Sequence, residues 1–234
     1  MGSEMCIRDR TYVDQVWSEN VSCSSAGNYM LYNCVISSSS DDVFLIVNGT
    51  ANVTLFNCSI NNVLIVSSGN LTVDNSIIVK DLNRIDGYVE MKDNATMTCF
   101  NGTRFEDVSF FNMTLNSTLD CHGNVTMDVV SNGIRAMNDS RLFLSNVTFL
   151  SQFAGFEISD NVSARLNLCE SEGSSFDFTM RNNTVCEINS SVIGTPSSYA
   201  FEIHDNAQFS TYNTTYDNLA LSLYDLASSN ITNC

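Results

Sequence analysis

Residues 134–178 read IRAMNDSRLFLSNVTFLSQFAGFEISDNVSARLNLCESEGSSFDF, and they state one phrase twice. An apolar position opens a short apolar stretch, first at Ile134 and again at Phe156. An Asn or Asp turn follows (Asn138, Asp160), then a second apolar stretch, a second turn (Asn146, Leu168) and a variable return. The phrase continues in both directions. Its apolar column runs Phe44, Ile65, Val89, Phe111, Ile134, Phe156, Phe178, Phe201, Leu221, at steps of 20 to 24 residues. Its second-turn column runs Asn33, Asn57, Asn75, Asn101, Asn124, Asn146, a blurred position near Leu168, then Asn189, Asn213 and Asn233. Repeats of this length predict a solenoid, because one unit cannot bury its own apolar face and must stack on its neighbours.

Within the unit the apolar residues alternate. Leu55, Val73, Cys99, Leu144, Leu166 and Ile231 stand two places before the Asn column, and Ile36, Ile60, Ile78, Met127, Phe149, Val192 and Tyr216 three places after it. Alternation predicts strands, not helices, and proline, a strand breaker, occurs only at Pro196. Equivalent side chains should therefore stack into parallel apolar files. About 9–10 rungs at the ~4.8 Å spacing of paired strands would make a rod about 45 Å long. A first-turn column, Asn48, Gly69, Asp93, Asn138, Asp160, Asn182, Asp205 and Asp225, departs only at Leu115 and uses the residues that tolerate a left-handed backbone. Stacked Asn side chains of the second turn should bond from rung to rung and satisfy inward-facing polar groups.

The expectation is all-β and one domain over residues 11–234. Residues 1–10 (MGSEMCIRDR) sit outside the period, lack the basic-then-apolar layout of a signal peptide and resemble translated adapter sequence, so they are set apart as a non-native tail. Ser229–Cys234 stop midway through a rung, so the chain reads as a fragment. A net charge of −16 with only ten Lys and Arg argues against nucleic acid and anionic membrane surfaces as partners. No apolar run approaches the ~20 residues that span a bilayer.

Three strands per turn at this period, with phrases such as Asn124-Val125-Thr126-Met127 and Asn146-Val147-Thr148-Phe149, resemble the right-handed parallel β-helix of the pectin-lyase-like superfamily over about residues 20–234. The resemblance implies a carbohydrate-related role: lyase, glycosidase, tailspike or surface adhesin. The polygalacturonase signature is matched only by Asp41-Asp42 and His122-Gly123. These are about four rungs apart, too far for one catalytic centre, whose carboxyl pairs lie about 5–9.5 Å apart. The lyase relatives imply clustered Asp ligands for calcium and an Arg base. Asp93, Asp160, Asp205 and Asp225 share a column, but Asn138 and Asn182 interrupt it, and turn formation is the simpler account. Arg84 and Asp86, in the longest excursion (residues 80–87), offer the best specific contact.

Nine cysteines show no metal-ligand spacing. Cys34/Cys58 and Cys99/Cys121 would come within disulfide reach on adjacent rungs. Free buried thiols are the preferred reading for the first pair, and the rest stay open. Seventeen Asn-x-Ser/Thr triplets fit either N-glycosylation in a secretory pathway or one phrase copied from rung to rung. Copying is the preferred account, on the expectation that column Asn are buried. Among the aromatics Phe110, Phe111, Tyr199, Phe201, Tyr212, Tyr216 and Tyr224, core packing is the default. Tyr212, directly before column residue Asn213, should face solvent.

The functional expectation is an extracellular or cell-surface structural or adhesive scaffold whose partner is a glycan or a surface protein. The rival is a carbohydrate-active enzyme of the pectin-lyase-like fold. No cofactor is expected, with calcium the one candidate ligand of an acidic solenoid, and catalytic residues are not assigned.

Overall fold

The computed structural model describes residues 3–4, 9–24, 26–37, 44–61, 63–79, 88–129, 133–150, 154–171, 176–193, 199–217 and 219–234. Among them there is no helix, and the strands coil into a parallel β-solenoid with about 22 residues per turn. One coil shows the plan. Phe176–Met180 forms a first strand, Arg181–Thr184 turn, Val185–Asn189 forms a second strand, Ser190 bends the chain, and Val192–Ile193 forms a short third strand. Each pairs in parallel with its equivalents on the coils before and after. The first strands make an 11-stranded sheet. The other 19 strands make two strips, joined where Thr118–Val129 and Arg141–Phe149 run unbroken through the bend. Within the first ten residues, Ser3–Glu4 pair with Val21–Ser22, and Arg10 opens the strand Arg10–Val13.

Side chains of the three strand sets meet inside as files. Val89, Phe111, Ile134, Phe156, Phe178, Phe201 and Leu221 occupy one register position, as the period requires. Their rings stack, with Phe156 to Phe178 at 5.2 Å and Phe178 to Phe201 at 5.3 Å. The first two members are corrected: Leu45 and Leu64, not Phe44 and Ile65, stand over Val89. Residues 44–47 and 63–66 are apolar at every position, so alternation cannot say which parity faces inward; strand pairing decides, and Ile65 is left half-buried on the outside. Leu55, Val73, Cys99, Leu144, Leu166 and Ile231 share a second file. In the third file, after Phe149, Ile193 takes the place expected of Val192, which is 48% exposed.

That slip has one origin. The second bend requires a left-handed residue, found at Asn33, Asn57, Asn75, Asn101, Asn124, Asn146, Asn213 and Asn233, and also at Leu168 (φ 53°) and Ser190 (φ 49°). Asn189 instead ends its strand, opposite Tyr212. The adjacent pair Asn189-Ser190 offered two turn-formers, and pairing chose the second. At the first turn the left-handed residues include Asp93, Leu115, Asn138, Asp160, Asn182, Asp205 and Asp225, but Gly49 and Ser68 take this conformation in place of Asn48 and Gly69. Gly69 is buried one step on, where a Cβ would approach Val47 Cγ1 to 2.6 Å.

The second-turn Asn side chains are exposed, not inward. A left-handed residue at a corner throws its side chain outward, and the next residue turns in. Asn57 Nδ2 donates to Asn33 Oδ1 (2.8 Å) and Asn33 Nδ2 to Asp14 Oδ1 (3.0 Å), so rung-to-rung bonding exists, on the surface. Two further ladders behave alike: Asn70 to Asn52 to Asn28 to Asp9, and Asn206 to Asn183 to Asn161 to Asp139. In each, the amide donates toward the N-terminal coil and an Asp stands first.

Inward satisfaction falls to the position after each bend, where Cys34, Cys58, Ser76, Thr103 (after the left-handed pair Asn101-Gly102), Cys169, Ser191 and Thr214 are buried. Each can both accept and donate a hydrogen bond. Cys58 N–H donates to Ser76 Oγ (2.9 Å), which donates to Asp74 O (2.9 Å); Cys169 N–H donates to Ser191 Oγ (3.0 Å), which donates to Asn189 O (2.8 Å). Cys34 N–H reaches Cys58 Sγ at 3.4 Å. The cysteines of the described coils are free thiols, and Cys34, Cys58 and Cys169 serve as members of a polar ladder. Ser191→Ala, which strands the Cys169 amide, should cost about 1–3 kcal/mol. Ser191→Cys, which keeps donor and acceptor, should cost clearly less; urea titration of both variants checks the difference.

Candidate ligand-binding face

The residue before each second bend ends the second strand and points outward, and so does the residue two places earlier. Two outward files result. One carries Tyr32, Phe56, Asp74 and Phe100, then His122, Ser145, Asn167, Asn189 and Tyr212. The other includes Thr98, Asp120, Phe143, Arg165, Glu187 and Ser210. Phe56 is 41% and Tyr212 52% exposed. Tyr32 and Phe56 lie 5.8 Å apart, and Phe100 meets His122 edge-on at 4.5 Å. This one face therefore repeats aromatic, amide and carboxylate groups at the coil spacing.

Its middle is a shallow groove of about 450 Å³, lined by Asp120, Phe143, Leu144, Ser145, Arg165, Asn167, Glu187 and Asn189. His122 Nδ1 and Asp120 Oδ1 are 3.1 Å apart at its edge. Arg165 places both Nε (2.9 Å) and a terminal nitrogen (2.8 Å) on Glu187 Oε2. Both partners are solvent-exposed, so this ion pair fixes orientation more than stability. Asp120 and Glu187 stand three coils apart, about 14 Å at the strand spacing. That is beyond the ~5–9.5 Å that glycosidase carboxyl pairs need.

Of the residues singled out in the sequence, His122, Asn189 and Tyr212 lie on this face. Arg84, Asp86, Asp41 and Asp42 fall outside the described residues. Asp93, Asp160, Asp205 and Asp225 occupy left-handed positions of the first turn. Asp93 Oδ2 accepts from Ser67 Oγ (3.1 Å), Asp160 from Ser159 and Asn182, and Asp205 Oδ2 from the Asn182 amide (3.0 Å). Among the described residues, no three His, Cys, Asp or Glu side chains gather to hold a metal. His204 stacks on Tyr224 at 4.4 Å, several coils from His122. Phe111 and Phe201 are wholly buried, Phe110 stacks half-buried on Tyr88, and Tyr216 donates to Thr211 Oγ1 (2.8 Å); Tyr199's side chain falls outside the described residues.

The sequence reading missed Tyr32, Phe56, Phe100 and Phe143. The signal was present: Tyr32, Phe56 and Phe100 each precede a column Asn, as Tyr212 does. No helix among the described residues is long and apolar enough to cross a membrane. The chain matches no protein-family profile, no curated protein and no solved structure in sequence and fold comparison.

Proposed function

We propose that this chain is an extracellular or cell-surface scaffold of adhesive type, which holds glycans against the outer face of its second strands. The carrying observation is the row of aromatic, amide and carboxylate side chains repeated coil by coil on that face. Such groups suit sugars, whose rings offer an apolar C–H face and a rim of hydroxyls. The coil is read as right-handed, the hand that parallel strand crossovers favour, and the 22-residue parallel coil supports kinship with the pectin-lyase-like group. A secretory location fits the sequons. All but Asn20, Asn112 and Asn189 of the seventeen carry an exposed Asn, so burial gives no reason against glycan attachment. The acidic surface disfavours polyanionic partners.

The test is co-sedimentation of the whole chain with insoluble polysaccharides, together with a glycan array and an assay for released reducing ends. Retention on glycan without release is the expected result. Failure to bind any glycan would remove the proposal, and depolymerisation of a polyuronide with calcium present would replace it with the enzyme reading.

A further inference from the structure

We infer that the groove over Asp120, Phe143, Arg165, Asn167, Glu187 and Asn189 takes a neutral oligosaccharide lying along the solenoid axis, and that it rejects uronate chains. This rests on the glycan-binding reading of the same face and adds the ligand's charge, length and direction.

Direction follows from shape. The lining spans four coils, about 14 Å along the axis, but only two outward files, about 7 Å along a strand. A narrow trough of that form accepts a chain lengthwise. About three sugar residues fill it at the ~4.8 Å coil spacing, because the rise of one residue in an extended glycan is comparable with one coil. Tyr212 continues the Asn189 file by one coil and, being half-exposed, offers a stacking plate for the residue at that end.

Charge follows from the partners. Asn167 and Asn189 stand on adjacent coils of one file, and a carboxamide can both donate to and accept from a hydroxyl. Phe143, half-buried between Asp120 and Arg165 in the other file, supplies an apolar surface for a ring face. Among the described residues lining the groove the one cationic side chain, Arg165, is already paired with Glu187 through two nitrogens. Asp120 and Glu187 leave the trough anionic, within a chain of net charge −16. A uronate carboxylate would meet like charge without a free counter-charge. Hydroxyls meet donors and acceptors and no repulsion.

Calorimetric titration of the whole chain decides the matter. The probes are gluco- and manno-oligosaccharides from mono- to pentasaccharide, and oligogalacturonates of matched length at low salt. The expected affinity climbs to about the trisaccharide and then levels, and oligogalacturonates bind at least tenfold more weakly than their neutral counterparts. Phe143→Ala and Asn167→Ala should each lose about tenfold, with melting temperatures unchanged. Val192→Ala, on the third strip away from the groove, should bind like wild type. Equal or tighter uronate binding, a monosaccharide as tight as a trisaccharide, or undiminished binding by the folded Phe143→Ala variant would each sink this inference while leaving glycan binding intact. Absence of binding to every glycan would sink both.

Discussion

Raising the pH from about 8 to about 10 should strip several kcal/mol from the stability of this fold, because its core holds thiols that must stay protonated. Burial pushes Cys23 from the ordinary 9.0 up to about 12, and Cys58 and Cys169 each up to about 11. Burial raises Cys186 as well, and Cys121 is raised by burial and by Cys99 beside it. The sign follows from linkage. Below 9.0 folded and unfolded chains are both protonated, and the contribution is fully present. Above 9.0 the unfolded chain ionises first, and stability drains away as pH climbs toward the folded values. One pH unit past 9.0, each thiol removes about 1 kcal/mol. Urea titrations across this range check it. A Cys58→Ser, Cys169→Ser double variant should make the alkaline limb shallower, leaving the share of Cys23, Cys121 and Cys186, yet keep the neutral-pH stability within about 1 kcal/mol, since serine preserves both ladder bonds. A midpoint that stays level through pH 10 would contradict the buried, reduced ladder.

Phe178→Ala should be the most damaging single truncation, at about 3–5 kcal/mol. Phe178 has no exposed surface and lies between Phe156 and Phe201, with ring centres 5.2 and 5.3 Å away. Removing it opens a void between coils that rigid paired strands cannot close. In a stack whose cooperativity passes from neighbour to neighbour, the loss should concentrate at this junction and split the unfolding transition. Phe178→Leu, which refills most of the volume, should recover most of the stability. Denaturation followed by circular dichroism measures both, and a loss for the alanine variant below about 1 kcal/mol would contradict the stacked file.

Period and strand class were legible because they rest on spacing, which survives substitution. Parity was not legible where a run is apolar throughout: residues 44–47 and 63–66 satisfy either face, and the choice of Leu45 and Leu64 comes from pairing with Val89. The left-handed bend was read at Asn75-Ser76 but missed at Asn189-Ser190, because the same dipeptide turns at its first residue in one coil and at its second in the other, and only strand pairing makes that choice. Treating the Asn column as interior confused a backbone requirement with a side-chain direction, and so burial was expected of residues that the corner exposes. The polar ladder was hidden because Cys, Ser and Thr look dissimilar by hydropathy while offering the same donor and acceptor. The outward file was half-visible: the rule that identified Tyr212 was not carried to Tyr32, Phe56 and Phe100. The groove itself was out of reach, since Asp120, Arg165 and Glu187 are neighbours only once the coils lie in register.

The surface carboxamide rows have a polarity that bears on how the rod is made. Every amide hands its proton backward, and an aspartate, which has none to give, opens each row at Asp9, Asp14 and Asp139. An unfinished row therefore presents a carboxamide oxygen, an acceptor, to the coil that follows. Each new turn thus meets side-chain acceptors already set out at the coil spacing, before its own strands have paired.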